Sequence, residues 1–123
     1  MEKCILLLDS DPTFCQEIKV YLASFGHKVI IATSIDAAIQ CFHDSLPAIL
    51  FLNVATLSLA APEQIKNFSE IIDDRAKIVA LTHHYCPIDN TAVELMSRVI
   101  SAIHRDSPLS EFRYFLTNDK IQE

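Results

Sequence analysis

Short apolar runs and amphipathic stretches alternate along most of this chain. "KCILLLD" (3–9), "HKVIIAT" (27–33), "AILFLN" (48–53) and "AKIVALT" (76–82) have the length and apolar density of buried strands. The stretches between them read as helices. In "DPTFCQEIKVYLASFG" Asp11 is placed to cap, Pro12 suits the first turn and Gly26 the stop, while Phe14, Ile18, Leu22 and Phe25 form one apolar stripe. Ser34 can cap "IDAAIQCFHDS", in which Ile35, Ala38, Ile39 and Phe42 share a face. "APEQIKNFSEIIDD" turns Ile65, Phe68 and Ile72 inward. Strands alternating with amphipathic helices predict a three-layer α/β fold, a parallel sheet covered by helices on both faces. In such a sheet the strand-to-helix loops open on one edge, where sites are built. Asp9, Ser10 and Asp11 arrive there from the first strand, Asn53 from the third, and Thr82 and His83 from the fourth.

The 123 residues make a single domain, 1–123, and half of them are apolar, which excludes disorder. A formal net charge of -6 opposes a phosphate-binding surface, so no direct nucleic-acid contact is expected. No apolar stretch approaches the roughly 20 residues of a membrane span, and "MEKCILLLDSD" meets an acid too early for a signal peptide, so a cytoplasmic location is expected. The one glycine, Gly26, excludes a glycine-rich phosphate cradle. Cys4, Cys15, Cys41 and Cys86 lie in different elements without metal-ligand spacing and read as buried small hydrophobes in a reducing compartment.

Four stretches, "ILLLDSDPTF", "PAILFLNV", "IVALT" and "RYFLTND", give the chain a resemblance to response-regulator receiver domains over about residues 3 to 118. The resemblance implies a flavodoxin-like, doubly wound sheet of strand order 2-1-3-4-5. In that family an acidic pair ending the first strand holds Mg²⁺, and an aspartate ending the third accepts a phosphoryl group. The fourth strand ends on Ser or Thr, and the fifth on Lys-Pro preceded by an aromatic. Asp9 takes the first acid's place, Thr82 the hydroxyl's and Phe115 that of the switch aromatic. The departures are Ser10 for the second acid, Asn53 for the phosphoacceptor, Asn118 and Asp119 for Lys-Pro, and His83 for a small residue. A carboxamide is a poor nucleophile and Ser10 offers no formal charge to a hard cation, so phosphoryl transfer is not expected. Asn53 reads as a stand-in that hydrogen-bonds Thr82 or nearby backbone without the repulsion of clustered carboxylates.

The expected function is that of a degenerate receiver, with no enzymatic activity and no cofactor or metal. It would be a phosphorylation-independent module of two-component signalling that works through a protein partner or a homodimer. The alternative is a small-molecule- or metal-sensing domain that uses the emptied pocket. Asp9 and Asp11 together could hold a divalent ion, but Asp11 reads better as a helix cap and Asp9 as a solvated strand-end acid. His83, His84 and Cys86 in "THHYC" lack a recognisable fourth zinc ligand, and His83 blocking the pocket is the simpler reading. The uncharged loop "VATLSLAAP" (54–62) reads equally as a binding surface or as a segment folded onto the core.

The C-terminal third admits two registers. In the preferred one, "NTAVELMSRVISAIHRD" is a fourth helix with Val93, Met96, Val99, Ile100 and Ile103 inward, and "FRYFLT" (112–117) is the fifth strand. The C-terminal helix is then missing or rearranged, one face keeps only the helix at 12–25, and a homodimer or obligate partner is expected to cover it. In the rival register, residues 91–105 are the fifth helix.

Overall fold

The computed structural model describes residues 3–57, 59–72, 75–82 and 99–117. In chain order its elements are β1 (Cys4–Leu8), α1 (Pro12–Ala23), β2 (Lys28–Ala32), α2 (Ile35–Ser45), β3 (Ile49–Asn53), a single turn α3 (Val54–Leu57), α4 (Pro62–Ile72), β4 (Lys77–Thr82), β5 (Val99–His104) and α5 (Leu109–Thr117). All strand pairs are parallel and the sheet order is β2-β1-β3-β4-β5. The sheet is thus the flavodoxin-like one that the resemblance implies.

Because successive side chains leave a strand on opposite sides, each apolar run feeds two cores. Ile5, Leu7, Ile49, Phe51, Val79 and Leu81 meet Cys15, Ile18 and Leu22 of α1 and Phe112 and Leu116 of α5. Leu6, Leu8, Leu50, Leu52 and Ile78 meet Ile35, Ala38 and Phe42 of α2 and Ile65, Phe68 and Ile72 of α4. Burial on both faces explains why the strands are continuously apolar instead of alternating. The helix signals are also realised: Asp11 accepts from the amides of Thr13 and Phe14, Ser34 accepts from that of Ala37, and Gly26 turns the chain at φ +89°. Phe25 departs from its expected inward stripe. It is 40% exposed, lies against Tyr21 and is covered by the Arg113 guanidinium at 3.8 Å.

Both C-terminal registers are overturned. Val99, Ile100 and Ile103 belong to β5, which pairs with β4 from Ile78↔Val99 to Thr82↔His104 across a bulge at Ile78/Val79. "VISAIH" is short and rich in β-branched residues, and a run of that length satisfies the helical and the strand period alike. "FRYFLT" lies in α5, where Leu109, Phe112 and Leu116 recur at helical spacing and override the strand preference of the aromatics. The C-terminal helix is therefore neither missing nor rearranged. It packs beside α1 with Phe112 fully buried against Phe51 and Phe14, so the bare face that required a partner is closed within the chain. Val93 and Met96 lie outside the described residues. In the 54–62 loop, Val54, Thr56 and Leu57 fold onto the core, whereas Leu59 is 74% exposed.

Candidate functional site

The parallel strands carry Asp9, Asn53, Thr82 and His104 to one edge of the sheet. A backbone hydrogen bond continues the pairing past the ends of β1 and β5 there. The Asp9 amide donates to the Ala32 carbonyl at 3.1 Å, and the Arg105 amide to the Thr82 carbonyl at 2.8 Å. Arg105 is thereby fixed as the first residue past β5.

Asp9 is the centre of the site, and it is fully buried, which corrects its reading as a solvated acid. Its Oδ1 accepts from the Asp11 amide at 2.9 Å and from Arg105 Nη2 at 3.4 Å. Its Oδ2 accepts from Asn53 Nδ2 at 3.0 Å and from Arg105 Nε at 3.0 Å. A buried carboxylate is tolerable only when paired and hydrogen-bonded, and here both oxygens are occupied. Asn53 is 4% exposed, and its Oδ1 accepts from the Ala55 amide at 2.9 Å. The amide's orientation follows from these partners: the nitrogen faces the carboxylate and the oxygen faces a backbone N–H. Its partners are thus Asp9 and the nearby backbone amide of Ala55, not Thr82. An aspartate at 53 would set two carboxylates against each other at this distance.

Asp11 adds a second acid at the rim. It caps α1, and Arg105 Nη2 reaches its Oδ2 at 3.3 Å. The Phe14 amide above all, opposed next by desolvation and helped by the Arg105 guanidinium and the Thr13 amide, holds the Asp11 carboxyl below its usual range. The Arg105 guanidinium also lies over the Phe14 ring, 4.2 Å from its centre. Beneath the site, Cys15 Sγ donates to the Asp9 carbonyl at 3.3 Å. Burial, with help from the charges of Asp9 and Asp11, pushes this thiol up to about 12. Burial likewise raises Cys41. Neither is poised as a nucleophile or a ligand.

Of the residues singled out in the sequence, Asp9, Asp11 and Asn53 meet in this network, Thr82 joins through its carbonyl, and Ser10 is exposed beside it. Phe115 is on α5, half-buried against Tyr114, and β5 carries no Phe, Tyr or Trp for a switch aromatic. His83, Asn118 and Asp119 lie outside the described residues, as do His84 and Cys86. The residue that the sequence reading missed is Arg105. Once β5 ends at His104, Arg105, not Asn118, stands where the resemblance places a lysine. The signal was a lone cation directly after "VISAIH".

No family model matches the sequence, and no curated protein matches it. Solved structures do. A CheY-like response regulator receiver domain protein from Methanospirillum hungatei aligns at TM-score 0.78 and 19% identity over 97% of this chain and 96% of its own. A two-component response regulator from Clostridium difficile aligns at TM-score 0.73 and 18% identity over 98% and 95%. A response regulator from Burkholderia pseudomallei, solved with a phosphorylated aspartic acid, calcium ion and citrate, aligns at TM-score 0.73 and 16% identity over 98% and 69%. At such identities the likeness is one of architecture, and by that measure this chain has the fold of a response-regulator receiver domain.

Proposed function

We propose that this chain is a phosphorylation-independent regulatory module of receiver type, which signals by binding protein and performs no chemistry of its own. One observation carries the reading: the residue ending β3 is Asn53, and its Nδ2 donates to Asp9 from within the core. A nucleophilic carboxylate is what phosphoryl acceptance from a donor requires at that place. The amide nitrogen's lone pair is delocalised, and both of its neighbours in the network are already satisfied. The receiver-type neighbours support a signalling role by analogy of fold.

Binding of protein is supported by the surface between α1 and α5. A shallow groove of about 760 Å³ there is lined by Pro12, Gln16, Val20, Tyr21 and Leu109, and Val20 is 61% exposed. The alternative, a metabolite or metal sensed in the pocket at the sheet edge, is disfavoured because Arg105 and Asn53 already occupy the oxygens of Asp9. Incubation with acetyl phosphate and Mg²⁺ is the test. The intact mass is expected to stay unchanged, and a stable phosphoryl adduct on residue 53 would overturn the reading.

A further inference from the structure

The receiver resemblance implies a divalent ion at the end of β1, and the residues present here do not fit one. Ser10 is neutral. Asn53 turns its N–H₂ toward Asp9, so a cation beside Oδ2 would face a donor, not an oxygen. The oxygens that would bind the ion are engaged by Arg105: Nε on Asp9 Oδ2 at 3.0 Å, and Nη2 between Asp9 Oδ1 at 3.4 Å and Asp11 Oδ2 at 3.3 Å.

We propose that Arg105 is the pocket's own cation, its guanidinium standing in for a divalent ion between Asp9 and Asp11 and keeping such ions out. The inference rests on reading this edge as a degenerate receiver pocket, and it adds what replaced the metal. Three features support it. Asp9 has no exposed surface, so its charge requires a counter-charge within the protein. A guanidinium is weakly hydrated and forked, which suits it to spanning a fully buried carboxylate and a half-exposed one at the rim. Arg105 is also held from two further directions, by the Phe14 ring under its plane and by the Thr82 carbonyl on its backbone. The guanidinium offsets one of the two carboxylate charges, and a metal would have to displace this bonded cation as well as shed its own water.

Paramagnetic broadening by Mn²⁺ reads this directly. In the wild-type chain, millimolar Mn²⁺ is expected to leave the amide resonances of Asp9, Asp11 and Asn53 no broader than those of exposed acids elsewhere on the surface. In Arg105→Gln the same three resonances are expected to broaden saturably, and Mg²⁺ to raise the melting temperature by several degrees. Selective broadening in the wild type, or none in a folded Arg105→Gln, overturns the proposal. If Arg105→Gln does not fold, Arg105→Lys decides: folding with a plain ammonium shows that a cation is what the pocket needs. Failure of both variants, without rescue by Mg²⁺, overturns the proposal. A phosphoryl adduct on residue 53 would sink the functional reading and leave the Mn²⁺ result standing.

Discussion

Arg105 Nε and Asn53 Nδ2 donate to the same buried oxygen, Oδ2 of Asp9, each at 3.0 Å. The two residues come from strands on either side of β4, so one carboxylate ties together three strand ends. Replacing either donor leaves the fully buried Oδ2 of Asp9 one hydrogen bond short, and replacing Asn53 also strips the Ala55 amide of its acceptor. Asn53→Leu is expected to lower stability by about 1–3 kcal/mol, the cost of an unsatisfied buried polar group, as read from the midpoint of urea unfolding.

Asn53→Asp is the stricter probe. It restores the nucleophile but sets a second carboxylate against Asp9, with Arg105 as the nearby cation and Ser10 unable to help bind a metal. The variant is expected to be less stable than the wild type and to remain unmodified by acetyl phosphate. Rapid phosphorylation of this single variant would show that Arg105 yields its place to a metal readily.

Asp11 gives a pH signature. Its folded pKa lies below the ordinary 3.8, chiefly through the Phe14 amide. Its contribution to stability is therefore complete above the unfolded value and lost as the pH falls through the depressed folded one. Asp11→Ala should melt lower than the wild type near neutrality, and the gap should close in acid. An equal gap at all pH values would mean that the side chain acts through packing alone.

Phe112 tests the corrected C-terminus. It is fully buried between Phe14 and Phe51, whereas Tyr114 on the same helix is 49% exposed. Phe112→Ala should cost about 3–5 kcal/mol in chemical denaturation. Tyr114→Ala should fall within about 0.5 kcal/mol of the wild type. Comparable effects would mean that α5 does not dock as described.

Cys15 should resist alkylation in the native chain at pH 8 and react only on unfolding. Its thiol keeps the proton to about 12 when folded against an ordinary 9. The native state therefore holds an extra proton in that window, and stability should decline as the pH rises through it. Peptide mapping after brief alkylation, with Cys4 and Cys41 as internal references, checks the first expectation.

The strands and helices from β1 to β4 were legible, Phe25 aside, because local signals and long-range demands coincide there. The β1 and β3 runs are apolar throughout, Asp11 and Ser34 sit where helices start, and Asn53 closes a run that nothing else would close with an amide. Beyond Thr82 the signals conflict. "VISAIH" suits either period, and the aromatics of "FRYFLT" favour a strand although Leu109, Phe112 and Leu116 need a helix to reach the core. The site was half legible for the same reason. Asp9 and Asn53 are placed by clear strands, but Arg105 reaches the pocket only if β5 ends one residue before it. The burial of Asp9 follows from that, since a strand-end acid stays in water until a cation arrives to cover it.

Arg105 differs from any dissolved ion in being joined to the chain, its backbone fixed at Thr82 and its side chain at Asp9. A dissolved ion obeys mass action: dilution, a chelator or a competing ion empties its site. A tethered group meets its partner at an effective concentration set by geometry alone, the same in a dilute tube as in a crowded cell. On the proposal that Arg105 replaces an ion, the pocket keeps its shape at every ion level, and a module of the proposed kind would answer to the amounts of the protein and of its partner instead.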